Sequence, residues 1–218
     1  MLKSIEKIFN YILDFILPPR TNFAIVKKLD EKAINNLPKA PEVLDCDWIH
    51  PLFHYRDPRV KAIIWELKYR ENILPLEHIG KILYDEIIGA IADIALFSSD
   101  TEFILIPIPI TSERRSERGY NQSELICRAI IENDTAHSLL YAPQWFEKIK
   151  DTESQSHSQS KHERMQNLVG CFEANPQVEG KIIILIDDVV TTGSTLTEAR
   201  NTLLSSGARD VFAFTIAH

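Results

Sequence analysis

The chain mixes short unbroken aliphatic runs with stretches whose apolar residues recur every three or four positions. Phe103-Ile-Leu-Ile106 and Ile182-Ile-Ile-Leu-Ile186 are runs of the first kind and predict buried strands, the second covered on both faces. Val211-Phe-Ala-Phe-Thr-Ile216 predicts a last strand. Prolines at 107 and 109 cannot sit in mid-sheet, so the first of these strands should end near Ile106. Helical spacing appears four times. Asp57-Pro58 is an N-cap with proline at the first helical position, and Val60, Ile63, Ile64 and Leu67 follow on one face. Leu76, Ile79, Leu83, Ile87 and Ile91 predict a longer helix over residues 75–96. A third helix is expected over residues 121–132. The fourth carries Leu196, Ala199, Leu203 and Leu204 and ends at Ser206-Gly207. Weaker patterns predict an extended segment at 48–55, short strands at 138–141, 146–149 and 169–172, and a short helix at 161–167. Alternating strands and helices imply an α/β fold with a mainly parallel sheet. Ligands of such sheets bind at the carboxyl ends of the strands.

Three stretches fall outside this alternation. Residues 1–17 place Leu2, Ile5, Ile8, Phe9, Ile12, Leu13, Phe15 and Ile16 among Glu6, Lys7, Asn10 and Asp14, which predicts an amphipathic helix ended by Pro18-Pro19. It would dock on the domain or on a second copy in a homodimer. No apolar stretch has the length of a signal core or a membrane span. Residues 20–47 read as a linker with one short helix around 30–37, which divides the chain into an appendage, 1–47, and a domain, 48–218. Residues 151–162 (DTESQSHSQSKH) are almost free of large apolar side chains and read as a polar segment suited to a lid. The balance of 24 basic and 31 acidic residues gives a net charge of −7, which argues against a general nucleic-acid surface. Cys46, Cys127 and Cys171 are odd in number and far apart, so neither a zinc site nor a disulfide framework is expected, and reduced thiols point to the cytoplasm.

Chemistry gathers at two predicted strand ends. After Ile186 come Asp187 and Asp188, then Val190, Thr191, Thr192, Gly193, Ser194 and Thr195. Small residues at a helix start let backbone N–H groups approach a phosphate. The carboxylates cannot hold that phosphate, but they can accept hydrogen bonds from sugar hydroxyls or hold a hydrated Mg²⁺. After Pro107 and Pro109 comes a predicted polar loop, residues 111–122, with Thr111, Arg114, Arg115 and Arg118. Guanidinium forks grip phosphate oxygens bidentately. Neither GxxxxGK[ST] nor GxGxxG is present. A phosphoacceptor arrangement would need further functional positions on later strands, and only one strand follows Asp188. The histidines show no metal-ligand spacing.

The stretch Ile184-Leu-Ile-Asp-Asp-Val-Val-Thr-Thr-Gly-Ser-Thr-Leu196 resembles the signature of type I phosphoribosyltransferases, which bind phosphoribosyl pyrophosphate (PRPP). Pro107, Pro109, Arg114 and the run Arg118-Gly-Tyr-Asn-Gln122 narrow the resemblance to the ComF/GntX-type proteins, as do Leu67-Lys68-Tyr69, Gln155 and the stretch from Arg164 to Phe172. The resemblance covers residues 48–218. It implies a twisted, mainly parallel sheet with a small hood from residues 48–75. It also implies that Asp187 and Asp188 bind the ribose hydroxyls and take Mg²⁺ through water, that residues 190–195 hold the 5′-phosphate, and that the loop with Thr111, Arg114, Arg115 and Arg118 holds the pyrophosphate. Lys161, His162 and Arg164 would belong to a lid. Members of that family usually begin with a cysteine-rich zinc ribbon. Here Phe15-Ile-Leu-Pro-Pro-Arg20 stands in its place without cysteines, so no zinc is expected. Two functional classes follow: transfer of phosphoribosyl to an unknown acceptor, or a non-catalytic PRPP or nucleotide module with partners in competence or DNA processing.

Overall fold

The computed structural model describes residues 20–41, 46–70, 75–97, 101–150 and 170–218. The helix expected over 1–17 lies outside these residues. So do the polar segment, the short helix at 161–167, Gln155, His157, and the lid candidates Lys161, His162 and Arg164.

Five strands form one sheet, and each neighbouring pair is parallel. They are β1 (Ile49–Phe53), β2 (Phe103–Pro107), β3 (Leu139–Tyr141), β6 (Ile182–Val189) and β7 (Asp210–Ala217), in the order β1-β7-β6-β2-β3. Between β3 and β6, β4 (Phe146–Lys148) and β5 (Phe172–Ala174) pair antiparallel as a separate ribbon. The ribbon's second strand begins later than the pattern at 169–172 suggested. The central strand β6 alternates as a strand covered on both sides must. Ile182, Ile184 and Ile186 join one core, whereas Ile183 and Leu185 join the other.

The first core lies under α3 (Pro58–Tyr69), α4 (Pro75–Phe97) and α6 (Gln122–Ile131). The second lies under α7 (Ser194–Ser205) and the β4–β5 ribbon. Asp57 caps α3 as expected, accepting from the Arg59 amide at 2.8 Å. The segment expected as a linker adds to the first core. It carries α1 (Arg20–Val26) and α2 (Glu31–Asn35), and its Val26, Ile34 and Leu37 are buried there. The segment expected to form a hood is likewise part of this layer. β1 is an edge strand of the main sheet, and α3 buries Val60, Ile63 and Leu67 in the first core. Among the described residues, no helix is long and apolar enough to cross a membrane.

Helices α4 and α6 touch through Gly80. A Cβ there would stand 2.6 Å from the carbonyl carbon and oxygen of Ala129. Gly80→Ala should therefore destabilise the protein by roughly 1–2 kcal/mol, because backbone cannot yield as a side chain does. Helix propensity alone would favour alanine by about 1 kcal/mol, so the sign separates the two effects. Urea denaturation checks it: the midpoint should fall at constant slope.

Candidate functional site

The pairing of β2 with β6 stops at Pro107 and Ile186, after which the Ile108 amide donates to the Ile186 carbonyl at 2.8 Å. On its other side β6 stays paired with β7, through Asp187 opposite Thr215 and Val189 opposite Ala217. Both acids thus lie inside the strand rather than after it, held by β7 after β2 has turned away. The N-terminus of α6 enters that open flank. Ser123 Oγ donates to Asp187 Oδ1 at 3.1 Å, and the Asp188 amide donates to the same oxygen at 2.9 Å. Lys68 Nζ, from the last turn of α3, lies 3.8 Å from Asp188 Oδ2. Burial, and then the charge of Asp188, push the Asp187 carboxyl up to about 7; the Asp188 amide, Ser123 and Lys68 oppose that rise.

The stretch expected as a polar loop after β2 is largely a helix. Thr111, buried, accepts from the Arg114 amide at 3.5 Å and caps α5 (Ser112–Arg118). Gly119, at φ 84°, ends it in the left-handed region that favours glycine. Capping at both ends makes a helix where charge density alone suggested a loop. The helical turn then sorts the arginines. Arg114 and Arg118 line the cleft above the acids. Arg115 forks onto Glu124 of α6 at 2.6 and 2.9 Å and does not line it.

The cleft has a volume of about 260 Å³. It is lined by the acid pair, Ser123 and Thr195 together with Arg114, Arg118, Lys68 and Lys148. Lys148 comes from the end of β4, where the ribbon leads toward residues 151–169. The small-residue loop divides this cleft from a second one. Gly193 takes φ 73° at the N-cap of α7, and the hydroxyls of Thr192 and Ser194 are 2.9 Å apart. Thr195 faces the first cleft, whereas Val190 and Thr191 face the second. The second cleft, of about 380 Å³, is completed by Pro41, His54, Tyr55, Arg56, Val189 and His218. The backbone ties its walls together: the Tyr55 amide donates to the His218 carbonyl at 2.8 Å, and His218 Nδ1 lies 3.1 Å from the Val190 carbonyl. It opens at the carboxyl ends of β1, β7 and β6, beside the first.

Residues 144–217 match the model of the phosphoribosyl transferase domain. The DNA utilization protein YhgH of Salmonella typhimurium is 30% identical over 71% of this chain and 65% of its own length. The competence protein ComFC of Bacillus subtilis is 37% identical over 54% of this chain and 45% of its own. These matches support a ComF-type phosphoribosyltransferase-like family for the chain. It spans just under two thirds of the length of the DNA utilization relatives. Among solved structures, a hypoxanthine phosphoribosyltransferase from Staphylococcus aureus superposes with a TM-score of 0.40 at 14% identity, over 64% of this chain and 61% of that one.

The ComF-type motif Arg118-Gly-Tyr-Asn-Gln122 has a physical explanation here. Tyr120 Oη donates to the Leu67 carbonyl at 3.0 Å, and Gln122 Nε2 reaches the Lys68 carbonyl at 3.5 Å. Asn121 Nδ2 donates to the Ile108 carbonyl at 2.9 Å, while its side-chain oxygen accepts from the Ser123 amide at 3.1 Å. The turn therefore locks three separate pieces, the end of α3, the end of β2 and the start of α6, around the acid pair. Spacing along the chain did not reveal Ser123, Lys68 or Lys148 as site residues. Lys68 and Ser123 stand beside recognisable motifs, but only the tertiary ties bring them to Asp187 and Asp188.

Proposed function

We propose that the first cleft binds Mg²⁺·PRPP and that the second receives the group to which the phosphoribosyl unit is transferred. The observation that carries this is the composition of the first cleft. Two adjacent carboxylates suited to a vicinal diol share it with two guanidinium and two ammonium groups suited to a diphosphate. The start of α7 beside Thr195 offers backbone N–H groups to the 5′-phosphate. Substitution at C1′ builds positive charge on the sugar ring, which the acids would stabilise electrostatically.

The acid pair fits Mg²⁺ only as part of its shell. Two neighbouring carboxylates, one of them already accepting from Ser123 and an amide, fall short of octahedral coordination. The remaining ligands would be oxygens of the donor and water. Bound there, the ion would neutralise the departing diphosphate.

Sheet order supports the second cleft as the acceptor's place. Arg114 and Arg118 follow β2, on one side of β6, and the second cleft stands on the β7 and β1 side. Displacement needs the nucleophile aligned opposite the leaving group. Val189, Val190, Pro41 and Tyr55 supply apolar walls, and His54, Arg56 and His218 supply polar positions, which suits a flat, partly polar acceptor.

The test measures pyrophosphate release from PRPP across a panel of bases and amines. One acceptor should support release, and Arg56→Ala should raise its KM several-fold without changing PRPP affinity. PRPP binding with no turnover on any acceptor would instead favour a regulatory binding module. The names of the relatives, DNA utilization and competence proteins, support that second reading.

A further inference from the structure

Lys68 is not explained by the hydrophobic pattern that builds its helix. The buried face of α3 is formed by Val60, Ile63, Ile64 and Leu67, and Lys68 leaves that face at the last turn to line the first cleft. Its position is built rather than incidental. The final carbonyls of a helix lack intrahelical partners; here Tyr120 and Gln122 take those of Leu67 and Lys68. The same turn places Ser123 on Asp187. Among the described residues, Ser123 is the side-chain partner of Asp187 and Lys68 that of Asp188, and one turn fixes both.

The two partners differ in kind. Ser123 bonds Asp187 at ordinary hydrogen-bond length. At 3.8 Å, Lys68 and Asp188 make an ionic contact looser than the 2.7–2.9 Å of a charge-assisted hydrogen bond. Lysine is a mobile point charge with three donors on a flexible stem, unlike the planar forks of Arg114 and Arg118. Such a group can turn from a carboxylate to a phosphate oxygen without any movement of the backbone.

We propose that Lys68 is a specificity residue that makes the cleft select a sugar bearing a diphosphate over the same sugar without one. The proposal rests on the reading of the first cleft as the donor site. A sugar diol that engages Asp188 competes with Lys68 for it. A donor carrying a diphosphate supplies oxygens to which the ammonium can turn, so the diol gains Asp188 and the lysine keeps an anionic partner. A sugar phosphate without the diphosphate would leave the ammonium uncompensated. Selection is then the difference between these two outcomes.

Calorimetric titration of the full chain with PRPP and with ribose 5-phosphate, both with Mg²⁺, tests this. The weaker ligand is followed by competition. Lys68→Met keeps the apolar stem and removes the charge. It should weaken PRPP binding about 10- to 30-fold, the size expected for losing a hydrogen bond between charged groups. Ribose 5-phosphate affinity should hold or rise, so the ratio between the ligands collapses. Lys68→Arg should keep most of the ratio, and Tyr120→Phe, which loosens the helix end, should lose part of it. Parallel loss of both ligands in Lys68→Met, or no change in either, overturns the role of Lys68; PRPP binding by the wild type then leaves the donor site standing. A wild type that binds neither ligand overturns both.

Discussion

Asp188→Asn is expected to lower the affinity for Mg²⁺·PRPP about 100-fold at pH 7, and Asp187→Asn only about 10-fold. The first figure is the cost of a weakened acceptor for a sugar hydroxyl, toward the upper end of the about 1.5–3 kcal/mol found for hydrogen bonds to charged groups. Releasing Lys68 from Asp188 in the free protein offsets part of that cost, because the lysine turns to the diphosphate in the bound state. The second is smaller because Asp187 Oδ1 already accepts from Ser123 and the Asp188 amide, which leaves less of this carboxyl to the ligand. The upward push on the Asp187 carboxyl, to about 7, takes away up to a further factor of about two near neutral pH. The deficit of Asp187→Asn should therefore grow about twofold at pH 8.5, where the wild-type carboxyl is ionised. Calorimetric titration at both pH values measures this. Equal heats for wild type and both variants would sink the assignment of the acid pair.

The parts of this site legible in the sequence were those whose chemistry is contiguous. Ile182 to Ile186, the two acids and the threonine-rich loop follow one another without a gap, so strand, acceptor pair and helix start could be placed together. Asp57-Pro58 likewise announced α3, because a cap and a proline act within one turn. Features that depend on what a neighbour does were not legible. β6 runs three residues further than its aliphatic run because β7 keeps pairing with it, a tertiary fact. Arg115 looks like Arg114 and Arg118 in the sequence. It is removed from the cleft by Glu124, nine positions away on another helix. Lys68 and Ser123 are 55 residues apart and meet at the acids only because one turn ties three elements. Residues 20–47 read as a linker with one short helix, where α2 lies, and α1 is too short to show a period. Their few apolar residues matter only once α3 and α4 are there to receive them.

Asp187→Asn should also make the protein more stable than wild type above neutral pH, by about 2–3 kcal/mol at pH 8.5, less than the roughly 4 kcal/mol of the full displacement because solvent reaches this half-buried carboxyl. An ordinary aspartate, as in the unfolded chain, titrates near 3.8, whereas burial and Asp188 push the folded carboxyl up to about 7. Below about pH 3.8 both states are protonated, and the group costs the fold nothing. Between the two values the folded protein holds a proton that the unfolded chain has released, so stability falls as pH rises. Above about 7 the loss is complete, because an ionised carboxylate sits in a partly buried place beside a like charge. The asparagine variant has no such slope: its curve should meet that of wild type near pH 4 and separate steadily toward pH 8.5. Asp188→Asn should reproduce part of the gain by removing the like charge. Urea denaturation at a series of pH values decides the matter, and parallel curves for wild type and Asp187→Asn would refute it. A residue whose removal strengthens the fold while weakening the ligand is held for its chemistry, since packing alone would favour the neutral side chain.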